Sequence, residues 1–177
     1  PMFCEQKTTI SLSSDGVVQL PPITVKRVVS KISYNLTAKP ADMELKSVQL
    51  ISIPRTAVVF APDGTAADNP DDYTDSPETT LTGQRAAGSY YMLPNRQGVN
   101  TSITDQKQKN ADNAPACASW LLIRATRGSK VLAYSVYLGE NNTSDFNVRA
   151  NSHYTLNITL LNDNTADTRI ASYTATV

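Results

Sequence analysis

Two stretches of strict alternation constrain this chain more than any other feature of it. Between residues 28 and 37, Val28, Ser30, Ile32, Tyr34 and Leu36 share one parity, while Lys31, Ser33, Asn35 and Thr37 take the other. Between residues 153 and 161, Tyr154, Leu156, Ile158 and Leu160 alternate with His153, Thr155, Asn157 and Thr159. Successive side chains on a strand point to opposite faces, so each stretch predicts a strand with one buried face. A continuous helix is disfavoured by the density of β-branched residues. Composition agrees: the 177 residues include 20 Thr, which suits strands, and 16 Ser and 13 Asn, which suit turns.

The remaining pattern is one of short strands and turn signals. Residues 7–12 and 17–20 read as strands split by Ser14-Asp15-Gly16, and after Pro21-Pro22 a long strand pattern runs over 23–37. Residues 39–42 form a connection with one helical turn through Leu45, and Val48 and Leu50 then define a strand that Pro54 ends. Residues 56–60 read as a short apolar strand and 89–93 as another. Residues 118–126 and 131–138 predict a hairpin around Arg127-Gly128-Ser129. Trp120 and Leu122 lie on one side of its first strand and Leu121 and Ile123 on the other, the mark of a central strand. A final strand covers 168–177. The sum is an all-β chain, a β-sandwich of about seven to ten antiparallel strands in one domain over 1–177, with polar loop insertions at about 61–88 and 99–114.

Charge and motif content exclude several functions. Sixteen basic residues balance sixteen acidic ones, so no broad cationic field exists to hold nucleic acid. No stretch approaches the roughly 18 apolar residues that cross a bilayer as a helix. The chain begins with Pro1, which predicts a processed product or a fragment. Residues 61–80 hold Asp63, Asp68, Asp71, Asp72, Asp75 and Glu78 without Lys or Arg, and read as a solvated, mobile acidic excursion. Clustered carboxylates suit calcium, but the D-x-D-x-D-G spacing with a distal Glu is missing. Cys4 and Cys117 are either one pair or two unrelated thiols, and they fit no metal motif. His153 is the only imidazole, and no nucleophile elbow, dinucleotide fingerprint or Walker loop accompanies it. The expectation is no catalytic residue, no metal site and no cofactor. Tyr90 and Tyr91 are neighbours on one strand and cannot both face the core, which makes them the candidate ligand-contact aromatics. Trp120, in the most apolar strand, reads as core.

Four segments carry a resemblance. They are Arg27-Val28-Val29-Ser30-Lys31-Ile32 with Leu45-Lys46-Ser47-Val48-Gln49-Leu50 and Ile53-Pro54; Tyr91-Met92-Leu93-Pro94-Asn95-Arg96-Gln97-Gly98; Tyr137-Leu138-Gly139-Glu140-Asn141; and Asp145-Phe146-Asn147-Val148-Arg149-Ala150-Asn151-Ser152-His153-Tyr154. Their order and spacing over about 23–169 resemble the fimbrillin-like proteins, type V pilus subunits and accessory proteins of gut and oral Gram-negative bacteria. Ala150 departs from the family pattern, in which Arg or Lys is commoner. The resemblance implies a transthyretin-like sandwich exported as a lipoprotein to the cell surface and outer membrane, with the lipid anchor outside this chain. It implies a structural subunit or a tip or anchor protein of a fimbria, supporting adhesion. The implied partners are other fimbrial subunits or a second copy, joined by strand exchange, with a host glycan or protein receptor as a further partner. The terminal segments supply the candidate assembly strands, through Lys7, Thr9, Ile10 and Leu12 on one side and Ile170, Tyr173 and Val177 on the other. Beside the resemblance, the residues themselves read as structural: Asn147 and Asn151 as turn caps, Phe146 and Val148 as core plugs. The competing reading is a surface module that binds a glycan or host ligand without polymerising.

Overall fold

The computed structural model describes residues 2–4, 6–7, 9–10, 16, 18, 20–60, 64, 66–163, 165 and 169–176, the last stretch as backbone. In chain order the strands are β1 (Met2–Phe3), β2 (Lys26–Arg27), β3 (Ser30–Ala38), β4 (Met43–Ile51), β5 (Ile53–Pro54), β6 (Tyr73–Thr74), β7 (Thr79–Thr80), β8 (Arg85–Met92), β9 (Asn95–Val99), β10 (Trp120–Arg127), β11 (Lys130–Tyr137), β12 (Asp145–Val148), β13 (His153–Leu160) and β14 (Arg169–Thr176). Two four-stranded sheets, ordered β14-β13-β3-β8 and β11-β10-β4-β7, face each other, and the β12-β9, β5-β6 and β1-β2 ribbons attach to them.

The alternating stretches become the two inner strands of the first sheet. Ile32, Tyr34 and Leu36 of β3 and Tyr154, Leu156, Ile158 and Leu160 of β13 are buried to within a few per cent of full exclusion. They pack in one core with Leu45, Val48 and Leu50 of β4, Leu121, Ile123 and Ala125 of β10, and Leu132, Tyr134 and Val136 of β11. The predicted hairpin forms between β10 and β11, from Trp120↔Tyr137 to Arg127↔Lys130. Its first strand is central, with β4 on its other side. A second, smaller cluster of Ile103, Ala118, Tyr137 and Phe146 packs beyond the Trp120 end of β10.

The expectation of antiparallel strands fails at one place. β13 runs parallel to β3, with Ile32↔Tyr154 and Leu36↔Ile158 in register. Alternation carries no information about strand direction. A parallel neighbour needs a crossover, and here that crossover is the chain from 39 to 152, which builds the opposing sheet on its way.

Local readings are corrected too. The long strand over 23–37 breaks after β2, where the chain turns before β3 begins. Residues 39–42 are a turn without a helix, because Met43 already opens β4. The apolar residues 56–60 form no strand: Val58 and Phe60 are 67% and 65% exposed, and among the described residues no strand pairs with them. The acidic insertion is shorter than 61–88 and more ordered than a solvated excursion. Asn69 caps a 3₁₀ turn over Pro70–Asp72, β6 pairs with β5, β7 pairs with β4, and β8 begins at Arg85. The polar loop at 99–114 contains a 3₁₀ turn over Gln106–Gln108 closed by an Asp105 capping box. Lys7, Thr9 and Ile10 lie outside any strand, while Leu12 and the rest of the 11–15 turn fall outside the described residues, as do residues 17 and 19 of the second N-terminal strand reading.

Gly88 of β8 sits opposite Tyr34 of β3. A Cβ at that position would come within 2.6 Å of the Tyr34 Cζ, so the ring lies where a side chain would be. Gly88→Ala should lower unfolding free energy by about 1–3 kcal/mol in urea titrations. Combined with Tyr34→Leu, the loss should be smaller than the sum of the two single losses.

Candidate functional site

Most of the segments singled out by the sequence converge on one polar junction, while 45–50 lies in the main core. Asp145 at the start of β12 is buried, and its Oδ1 accepts from the Glu140 N–H at 2.7 Å and the Asn147 N–H at 2.8 Å. Its Oδ2 accepts from Asn147 Nδ2 at 2.8 Å. The Asn147 Oδ1 in turn accepts from the Gly98 N–H at 2.9 Å and from Arg96 Nε at 3.2 Å, which ties β12 to β9. Gly139 allows this turn to close: its φ is +149°, and a Cβ there would reach 2.5 Å from the Asp145 carbonyl carbon and overlap the carbonyl oxygen. Phe146 enters the smaller cluster and Val148 the main core, the plug roles expected for them.

The junction continues to the start of the first sheet. Glu140 pairs with Arg149, and the Arg149 N–H donates to the Tyr154 hydroxyl at 2.9 Å. Ser30 Oγ donates to the Arg149 carbonyl. Asn151 adopts φ +56° and its Oδ1 accepts from the Arg27 N–H at 3.1 Å. On the β9 side, Asn95 is fully buried and donates to the Cys117 carbonyl and Ser119 Oγ, both at 2.8 Å. Gln97 donates to the Tyr73 hydroxyl at 3.0 Å, and burial pushes that hydroxyl up to about 12. The bonds of this network fix turns and strand register. Asn147 and Asn151 do not cap their own turns as expected: their side chains bond across the fold, to Gly98 and Arg27, and the side chain that caps locally is that of Asp145.

Lys109 is a residue that the sequence pattern placed wrongly. It reads as part of a polar loop, yet it is 6% exposed. Its Nζ donates to the Asn141 carbonyl at 2.6 Å and lies 5.2 Å from the centre of the Phe146 ring. Burial pulls its ammonium down to about 7, against the opposing pull of the Asp145 charge. A Lys among polar residues gives no sign of this, because its surroundings come from β12 and the 137–142 turn.

Tyr90 points between the sheets and its hydroxyl donates to the Val48 carbonyl at 3.0 Å, whereas Tyr91 is 66% exposed on the outer face. Trp120 is half-buried and stacks on Tyr137 at 5.9 Å. His153 lies on the outer face of β13, with Nε2 2.8 Å from Ser33 Oγ. Cys4 and Cys117 are both free thiols; Cys117 is buried and raised by desolvation. Among the described residues no group of three or more His, Cys, Asp and Glu is placed to hold a metal. Two acids of the excursion serve the fold instead: Asp75 accepts from the Ser52 N–H at 3.0 Å, and Glu78 accepts from Ser47 Oγ and from Arg124 at 2.7 Å. The Ser47 hydrogen bond, with Arg124 beside it, holds the Glu78 carboxyl below its ordinary value. Of the candidate assembly residues, Ile170 and Tyr173 lie on β14, opposite Ile158 and Leu156 of β13. Among the described residues β14 is an edge strand of its sheet. Val177 is outside the described residues.

Residues 90–158, less than half of the chain, match the model of a domain of unknown function (DUF4906). No curated protein matches the sequence. Solved structures share the fold. A provisionally assigned cell adhesion protein from Parabacteroides distasonis aligns with a TM-score of 0.60 at 13% identity, over 87% of this chain and 53% of that one. The tip fimbrial protein Mfa3 of Porphyromonas gingivalis, with a C-terminal truncation, aligns at 0.51 and 16% identity, over 96% of this chain and 60% of that one. A second provisionally assigned cell adhesion protein, from Bacteroides eggerthii, aligns at 0.55 and 12% identity with the same coverage. The chain therefore spans between 53% and 60% of the length of these structures. Its fold is the all-β sandwich that the fimbrillin-like resemblance implied.

Two measurements probe the junction. Gly139→Ala should cost at least about 3 kcal/mol in denaturant unfolding, since both the backbone angle and the Asp145 carbonyl oppose a side chain. Lys109 is neutral more readily when folded than when unfolded, so the unfolded state binds the extra proton above pH about 7. Stability should therefore rise by about 2–3 kcal/mol between about pH 7 and about pH 9.5, since a tenfold change in proton affinity corresponds to about 1.4 kcal/mol. K109M should be flat over that window by comparison.

Proposed function

We propose that this protein is a structural subunit or accessory protein, of tip or anchor type, in a bacterial surface fimbria. Its copies or relatives join by strand complementation. The observation that carries this reading is β14. Among the described residues it is held on one side only, by antiparallel pairing with β13 from His153↔Thr176 to Thr159↔Arg169. Without it, the backbone N–H and C=O groups along β13 that it satisfies would lie open beside a buried core face. Such a groove takes an extended segment from another chain through main-chain hydrogen bonds, and the alternate side chains supply specificity. The fold shared with a tip fimbrial protein over 96% of the chain supports the same reading.

In this proposal Ile170, Tyr173 and Val177 belong to the exchanging or sealing strand. Lys7, Thr9, Ile10 and Leu12 belong to a segment whose partner strand is supplied on assembly. The chain acts as one sandwich domain of an exported protein at the cell surface and outer membrane, held there by a lipid anchor. It performs no catalysis.

A variant lacking 169–177 tests the reading. Its melting temperature should fall by about 10 °C or more, since each kcal/mol moves the midpoint of a chain this size by about 2–4 °C. A synthetic peptide of residues 169–177 should restore most of that loss when added in excess. If the shortened chain is insoluble alone, co-expression with the peptide fused to a carrier should recover it as a complex. An unchanged melting temperature together with no uptake of the peptide would overturn the proposal.

A further inference from the structure

The outer face of the first sheet carries a basic cleft at the end where β3 and β13 begin. Register sets Tyr91 of β8 beside Lys31 of β3, and Lys31 beside His153 of β13. These three side chains therefore form a row across three strands, on the face opposite the core. The two rows that follow on the same face are uncharged: Ser89, Ser33 and Thr155, then Ala87, Asn35 and Asn157. Asn35 donates to Asn157 at 2.8 Å across the strands.

The basic row gains depth from the segment before it. The Arg27 N–H is held by Asn151 Oδ1, the Lys31 N–H donates to the Ser152 carbonyl at 2.9 Å, and the Asn151 N–H donates to the Val29 carbonyl at 3.2 Å. These bonds hold β2 and the 150–152 turn together as the walls of a cleft of about 340 Å³. Arg27, Lys31, His153, Asn151 and Ser152 line it, and the exposed ring of Tyr91 completes it. Among the described residues no Asp or Glu lines it. The whole chain is neutral, with 16 charges of each sign, so this concentration of basic groups does not follow from a general excess.

An Arg and a Lys gathered in one cleft, with the His153 ring beside them, select an anion, and a guanidinium with an ammonium is suited to a carboxylate. A bare anion, however, has no use for an exposed aromatic wall. A tyrosine ring at the edge of a small polar cleft offers an apolar face on which the C–H face of a sugar ring can lie. The volume is at the low end of ligand sites, about 300–1,000 Å³, and suits one or two sugar rings. From this combination we propose that the cleft binds a carboxylated saccharide. The carboxylate lies between Arg27 and Lys31, the ring packs on Tyr91, and Asn151 and Ser152 meet its hydroxyls. The cleft is on the opposite face from the core and does not depend on strand exchange.

Calorimetric titration of the 177-residue chain with trigalacturonic acid, neutral galactotriose and inorganic phosphate tests this. The acidic trisaccharide should bind about tenfold or more tightly than the neutral one, as charge-assisted hydrogen bonds require. That preference should shrink as salt is raised. Lys31→Gln and Tyr91→Ala should each weaken binding about fivefold or more, with melting temperatures unchanged; Arg27→Gln serves as a second basic variant if Lys31→Gln perturbs the fold. Equal affinity for the neutral and acidic sugars would overturn the proposal. So would phosphate binding as tightly as the acidic sugar with Tyr91→Ala silent, which would mark a general anion patch. No binding of trigalacturonic acid at millimolar concentration would overturn it as well.

Discussion

The side-by-side burial of β3 and β13 supports the rest of the molecule. Four rows, from Ile32↔Tyr154 to Ala38↔Leu160, place the apolar faces of both strands on one plane. Each fully buried Leu, Ile or Tyr contributes on the order of 1.5–3 kcal/mol relative to exposure, so this pair of strands supplies a large share of the core. Because the two strands are parallel, the chain cannot join them by a hairpin. It leaves the sheet for β4, returns to the far side of β3 as β8, builds β10 and β11 across the core, and comes back as β13. The opposing sheet is built within that crossover, and β13 comes after all its strands in chain order.

That late arrival explains why so much polar bonding is concentrated just before β13. The strand must enter at the correct height beside β3, since a slip of one residue would turn Tyr154 and Leu156 outward. The Asn147 to Asp145 bond, the Asn151 backbone and the Ser30 to Arg149 bond fix that height from three directions. Buried polar groups are costly unless satisfied, and here Asp145, Asn147 and Asn95 are bonded on several sides. The junction therefore holds register without offering a reactive group. Lys109 is the exception in cost: a cation drawn under the same turn that gains stability as it loses its proton.

The two proposals use different parts of the first sheet. Strand complementation would use its β14 edge, through backbone groups. The proposed ligand cleft uses the outer face, where Tyr91, Lys31 and His153 stand in a row that the core does not use. The two adjoin at His153, which pairs with Thr176 of β14.

Much of this was legible in the residues. Alternation in 28–37 and 153–161 specifies strands and names their buried faces, since side-chain parity is a local property of the backbone. The hairpin of 120–137 follows from its turn, and the double-sided apolar pattern of 120–123 places that strand in the middle of a sheet. The four motif segments are legible as a set, although their meeting point is not. Only the tertiary structure decides that β3 and β13 are parallel, that residues 56–60 stay exposed despite their apolar character, that the acids of 70–78 bond to β4 and its turn, and that Lys109 is buried. Those outcomes depend on which distant segment lies opposite. Pairing direction, burial of a single charge and closure of a cleft are all settled by residues far apart in the chain, and no local pattern carries that information.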